Sequence, residues 1–244
     1  MDTSVWKDVI ADDELGHFSD DLMANDCWRT TALFGRMWAF YGPWMSGCKG
    51  SLTFSVCLVG RAKEHKFSGL SYLNPNAFEI VLLHYLNDLY GHRNWDGRRS
   101  HMPRHHGPID WHSHQHFPVP SASFKVFNQG EGVNDLSTPD HLFVFPVSDD
   151  YFVEVCFIQN LLSRDRSGKI AFDATPMQEL QDKVFNSIAM KLGPETQTAV
   201  NKVKAEAGSL RMCNNFAPLK WPTNIYPPEA GGSSEVRQAL RSDA

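Results

Sequence analysis

No CxxC pair, no apolar run long enough to cross a bilayer and no excess of positive charge occur in this chain. Each absence excludes something. Without closely paired cysteines there is no zinc ribbon or thioredoxin-like redox pair. The five cysteines, at 27, 48, 57, 156 and 213, are odd in number and scattered, and read as reduced thiols of a cytosolic protein. The opening MDTSVWKDVIADDELGHFSDD is acidic and lacks the apolar core of a signal peptide. With no candidate span either, the expected location is the cytoplasm, with no membrane association. A net charge of −5 argues against nucleic acid as the main partner, since phosphate binding needs a concentrated positive field.

Catalytic signatures are missing too. GxSxG, GxGxxG, the Walker-type GxxxxGK[ST] and HExxH do not occur. There are no internal repeats and no clear domain boundary. At 244 residues and 42% hydrophobic content, the chain can bury one sizeable core. The expectation is a single α+β domain over 1–244, a mainly antiparallel sheet with helices packed on one face.

What is abundant is aromatic. Seven Trp and 16 Phe exceed the needs of a core this size, and some are expected at a binding surface, where rigid rings bring contact area at low entropic cost. The most apolar stretch, HLFVFPVSDDYFVEVCFIQN, reads as a β-hairpin: Leu142–Phe145, a stop at Pro146, turn chemistry at Ser148-Asp149-Asp150, then Tyr151–Gln159 as the middle strand of the sheet. Alternation places Tyr151, Val153, Val155 and Phe157 on one face, toward the main core. Phe152, Glu154, Cys156 and Ile158 fall on the other, expected to be partly covered so that Glu154 reaches water. A solvated Glu154 is the leading reading, and a catalytic carboxylate the lesser one.

Further strands are expected at 51–59, where SLTFSVCLV alternates cleanly, and at 121–127. Residues 27–45, broken by Gly35 and Gly42-Pro43, fit helix or strand equally. A helix is predicted over 75–90, capped by Asn74 and stopped by Gly91, with a stripe of Phe78, Val81, Leu82, Tyr85, Leu86 and Leu89. A second is predicted over 176–192, opened by a Thr175/Gln178 capping box and ended by Gly193-Pro194. A weaker, exposed helix follows at 195–207. Residues 92–120 read as a loop-like His/Arg-rich insert, and 217–244 as a Pro-rich arm.

Six of the 11 histidines lie at 101, 105, 106, 112, 114 and 116 of that insert, and His112, His114 and His116 alternate. In an extended segment they would share one face with imidazoles some 6–7 Å apart, an array that could hold zinc with Asp110 as an oxygen ligand. The run HSHQHF lacks the Asp of the HxHxDH pattern of metallo-hydrolases, and its last His is out of register. A polar exposed loop is therefore the leading reading, with no metal and no cofactor expected. A metal-dependent enzyme is the alternative.

Residues 1–26 carry eight acids against one Lys. Asp12, Asp13, Glu14, Asp20 and Asp21, with Trp44 and Trp95, are the candidate partner-binding residues, because an acidic face attracts a basic protein.

The layout resembles that of bacterial immunity proteins encoded beside secreted toxins of the type VI or polymorphic class. The elements that carry it are the strand at SLTFSVCLV, the helix at FEIVLLHYLNDLYG, a Trp-containing basic insert, the hairpin at LFVFPVSDDYFVEVCF and a capped C-terminal helix, over residues 50–192. The resemblance rests on layout, and no residue role transfers. It implies a non-enzymatic cytosolic protein that binds a cognate toxin, often a nuclease, and blocks its active site.

Overall fold

The structure, a computed structural model, describes residues 28–43, 46–61, 68–90, 105–128, 139–166 and 169–214, and side chains at all of these but 87–90, 105–107 and 127–128. In chain order its elements are β1 (Trp28–Tyr41), β2 (Cys48–Arg61), α1 (Pro75–Tyr90), β3 (His105–Ser113), β4 (Ala122–Asn128), β5 (Asp140–Pro146), β6 (Tyr151–Leu161), α2 (Thr175–Asn186) and α3 (Pro194–Ala207). The chain is mixed α+β and mostly sheet. All six strands form one antiparallel sheet in the order β1-β2-β6-β5-β4-β3. A two-stranded hairpin and a four-stranded meander thus meet at the β2–β6 pair, and α1 connects β2 to the far edge at β3.

The expected hairpin forms with β6 inside the sheet. Pro146 ends β5, and the Ser148 hydroxyl accepts the backbone N–H groups of Asp150 and Tyr151 at 3.3 and 3.2 Å. The turn is also tied outward: the Arg61 guanidinium pairs with Asp150, the Ser71 hydroxyl donates to Asp149, and the Tyr72 N–H donates to the Asp149 carbonyl at 3.0 Å.

The helices do not share one face, as the sequence pattern suggested. Phe78, Val81, Leu82, Tyr85 and Leu86 of α1 join Val59, Phe124, Val126, Leu142, Phe152 and Cys156 in one buried cluster. Met177 of α2 and Val200 of α3 join Leu52, Phe143, Val153, Val155 and Phe157 in another. Adjacent β6 residues belong to different clusters, so α1 covers one side of the sheet and α2 with α3 the other. The physical reason lies in β6: its near-continuous apolar run needs cover on both sides, and α1 crosses one face on its way from β2 to β3.

Helix ends differ from expectation in part. Asn74 caps α1 as predicted, its side-chain oxygen accepting the N–H groups of Asn76 and Ala77 at 3.0 and 3.3 Å. The Gly91 stop lies outside the described residues. The Thr175/Gln178 capping box does not form, because Thr175 is already helical and Ala174 stands at the cap; Asp173 accepts the Thr175 N–H instead, at 3.0 Å. Helix α2 ends at Asn186 rather than 192, and Gly193 caps the start of α3.

The sheet extends beyond the predicted strands. Residues 28–41 form an edge strand with a bulge at Leu33. Residues 105–113, expected as loop, form the opposite edge. Here Pro108 and two register shifts erase the alternation. An edge strand tolerates both, since its outer side forms no ladder.

Candidate functional site

Three clusters of polar or exposed side chains compete for a functional role. The first is a sheet face. Antiparallel pairing aligns Phe34 with Val56, Arg36 with Phe54, and Trp38 with Leu52, and aligns Phe54 with Phe157 of β6. Directly paired residues share a face, so these side chains form one aromatic surface on the α2 side of the sheet. Its inner part is covered, but Phe34 is 52% exposed, and Trp38, Phe54, Val56 and Leu58 are only half-buried. The rings touch one another: Phe34–Phe54 at 5.7 Å, Trp38–Phe54 at 6.4 Å and Phe54–Phe157 at 5.0 Å.

Arg36 stands in the middle of this surface. Its guanidinium lies 5.2 Å from the centre of the Trp38 ring, a cation–π geometry. Its Nε is buried with no hydrogen-bond partner. No carboxylate occupies this face of β1, β2 or β6. A buried donor left unsatisfied costs about 1–3 kcal/mol.

The second cluster surrounds Glu154. It was expected to be solvated, and it is 8% exposed. Helix α1 closes over it. Cys57 and Val144 flank it on the neighbouring strands, Tyr85 hydrogen-bonds it, and one carboxyl oxygen has no partner. Loss of hydration pushes its pKa from 4.5 to about 7, and the Tyr85 hydrogen bond opposes that rise. Asp140, on β5 and the same face, is raised to about 6 by burial. Burial, with Glu154 as a neighbouring charge, raises Cys57 to about 11 and Cys156 well above its usual value. Both thiols are therefore protonated at neutral pH and are poor nucleophiles.

The third cluster contains part of the histidine array. His112 and His114 are neighbours, ring centres 4.8 Å apart. His116 does not continue the row, because β3 stops at Ser113 and the Phe117 N–H turns back to the His114 carbonyl at 3.2 Å. The third imidazole nearby is His141 of β5, which sequence spacing could not show because it arrives by strand pairing. His114 Nε2 and the Ser123 hydroxyl share a hydrogen bond at 2.9 Å, and the ring packs against Phe143 and Phe185. Burial, then the His112 and His141 charges, lower its pKa to about 4. His141 Nδ1 bonds the Gln181 amide at 2.9 Å, and Gln181 accepts from Gln159 at 2.8 Å. Asp110, named as an oxygen ligand, pairs instead with Lys125 at 2.8 Å. Among the described residues no group of three or more His, Cys, Asp or Glu is arranged to hold a metal ion. The arrangement pins α2 to the sheet.

Trp111 of the basic insert is also committed: it stacks on Phe124 with ring centres 5.3 Å apart and donates to the Cys213 carbonyl at 2.8 Å. Asp12, Asp13, Glu14, Asp20, Asp21, Trp44 and Trp95, the candidate partner-binding residues, lie outside the described residues. The aromatic face was missed because β1 was ambiguous; only pairing with β2 gathers Phe34, Arg36 and Trp38 beside Phe54.

No family model, curated protein or solved structure matches the chain. No described helix is long and apolar enough to cross a membrane. The functional reading therefore rests on the residues themselves.

Proposed function

We propose that this chain is a protein-binding module, and that it acts as an immunity protein that neutralises a cognate secreted toxin by covering the toxin's active site. The observation that carries the binding part is the half-exposed aromatic face of β1 and β2 with Arg36, stacked on Trp38 and facing no carboxylate of its own sheet, at its centre. Large rings around an arginine are the composition of interface hot spots. The toxin part comes from the resemblance in layout to immunity proteins of type VI and polymorphic systems. The acidic residues Asp12, Asp13, Glu14, Asp20 and Asp21 add attraction toward a basic toxin and speed its capture. Neutralisation of this kind takes place in the cytoplasm of the producing cell and needs no cofactor.

The test is co-purification with the product of the adjacent gene. The expected result is a stable complex in which the toxin's activity is lost. Phe34→Glu, which places a charge at the exposed edge of the aromatic face, should weaken that complex. Absence of a complex at micromolar concentration overturns the toxin reading.

A further inference from the structure

We infer that the β1–β2 face takes a segment of a partner protein that presents a carboxylate between apolar side chains, with Arg36 as its anchor. This rests on the binding reading and specifies the chemistry of the partner. The aromatic rings alone would accept any apolar surface, but Arg36 narrows the choice. Its guanidinium is held over Trp38, its Nε is buried and unpartnered, and it faces no acid on its own sheet. With Nε enclosed, a carboxylate meets the two terminal nitrogens of the planar guanidinium end-on, with two parallel hydrogen bonds, and the apolar surround strengthens the pair by excluding water. Phe34, Phe54, Val56 and Leu58 then supply the contact for apolar side chains on either side of the acid. The other cation on this face of β1, Arg29, lies seven residues away along the strand, one of them bulged, a rise of roughly 20 Å. Two cations so far apart suit a single carboxylate better than a phosphate chain, which needs closely repeated positive charge.

The experiment pans a phage-displayed random 12-residue peptide library on the full chain, then measures binding of the synthetic winners. Enriched peptides should carry Asp or Glu beside Trp, Phe, Leu or Ile. Changing that acid to its amide should weaken binding to the wild-type chain by roughly 10–100-fold. Arg36→Leu should weaken it by a similar factor, and Arg36→Lys should restore only part, since an ammonium keeps the charge and loses the flat stacked fork. The peptide substitution needs no altered protein, so it decides the matter even where Arg36→Leu folds poorly. Winners without acids, or equal binding of acid and amide peptides, overturn the inference. So does Arg36-dependent binding of a single-stranded oligothymidine, of a synthetic peptide copying residues 1–26, or of a second copy of the chain seen in sedimentation. If acidic peptides bind and the adjacent gene product does not, the carboxylate site stands and the toxin reading falls. If that product binds with an affinity indifferent to Arg36, the toxin reading stands and this inference falls.

Discussion

Tyr85 of α1 donates a hydrogen bond to Glu154 of β6, so the helix that buries this carboxyl also gives it a polar contact. The arrangement is incomplete, because the second carboxyl oxygen is left without a partner. Burial therefore wins over the hydrogen bond, and the folded chain holds Glu154 with a pKa near 7 instead of 4.5. Since the folded value lies above the unfolded one, the proton stabilises the fold. That contribution is complete below about pH 4.5, declines as pH rises toward 7, and is gone above it. Glu154→Gln keeps the acceptor for Tyr85 and removes the charge. It should raise stability at pH 8 by about 2–4 kcal/mol and have little effect at pH 4.5, as read by urea unfolding at the two pH values. A constant difference across pH would show that the carboxyl does not titrate in this range.

His114 should act with the opposite sign. Its folded pKa, near 4, lies below the usual 6.5, because burial and the His112 and His141 charges disfavour the imidazolium. The neutral ring is the one that fits, so its contribution is full above pH 6.5 and is lost as pH falls toward 4. The ring is half-exposed, and solvent screening reduces the effect to about 1–2 kcal/mol. His114→Gln can still bond Ser123 and cannot titrate, so its unfolding free energy should fall less steeply between pH 6.5 and 4. NMR titration of the His114 ring gives the direct check: a midpoint near 6.5 would remove the argument.

These two groups show what the sequence made legible. The alternation in Tyr151–Gln159 was enough to place Phe152, Glu154 and Cys156 together on one side of β6. It could not say that α1 would lie on that side, because no local pattern records where a helix crosses after leaving β2. Glu154 therefore looked like a solvent residue, and its burial emerged only from the topology. The spacing of His112 and His114 did predict neighbours, while His116 was lost to a turn and His141 entered by strand pairing. The same limit hid the aromatic face: Phe34 and Phe54 are 20 residues apart in sequence and meet only through register.

The two aromatic environments should respond differently to truncation. Phe152 is fully buried, with ring centres 6.1, 5.6 and 5.1 Å from those of Tyr72, Phe78 and Tyr85. Phe152→Ala should cost about 3–5 kcal/mol by leaving a cavity under α1. Among the described residues the Phe34 ring meets one other ring, that of Phe54, and half its surface already meets water. Phe34→Ala should change stability by less than about 1 kcal/mol while weakening partner binding. Chemical denaturation of both variants checks the contrast; a large loss from Phe34→Ala would make that ring structural rather than a docking contact.

Two glycines of the β1–β2 hairpin should differ for a steric reason. Gly50 pairs with Leu161 where β2 meets β6, and a Cβ there would run into the carbonyl oxygen of Asn160, with the Met177 methyl at 3.0 Å and the Phe172 ring at 3.4 Å. The side-chain neighbours could turn aside, but the carbonyl belongs to the β6 backbone. The adjoining Lys49 carbonyl, moreover, accepts the N–H groups of Leu162 and Ser163 at 3.0 and 3.2 Å. Relieving the clash would part β2 from β6 beneath the start of α2. Gly35 meets nothing closer than the Phe54 carbonyl oxygen at 3.9 Å. Gly50→Ala should therefore lower stability by about 1–3 kcal/mol, and Gly35→Ala should be neutral or gain up to about 1 kcal/mol from reduced freedom of the unfolded chain. Thermal melts of the two variants side by side provide the measurement, and equal melting temperatures would refute the close approach of β2 and β6 at Gly50.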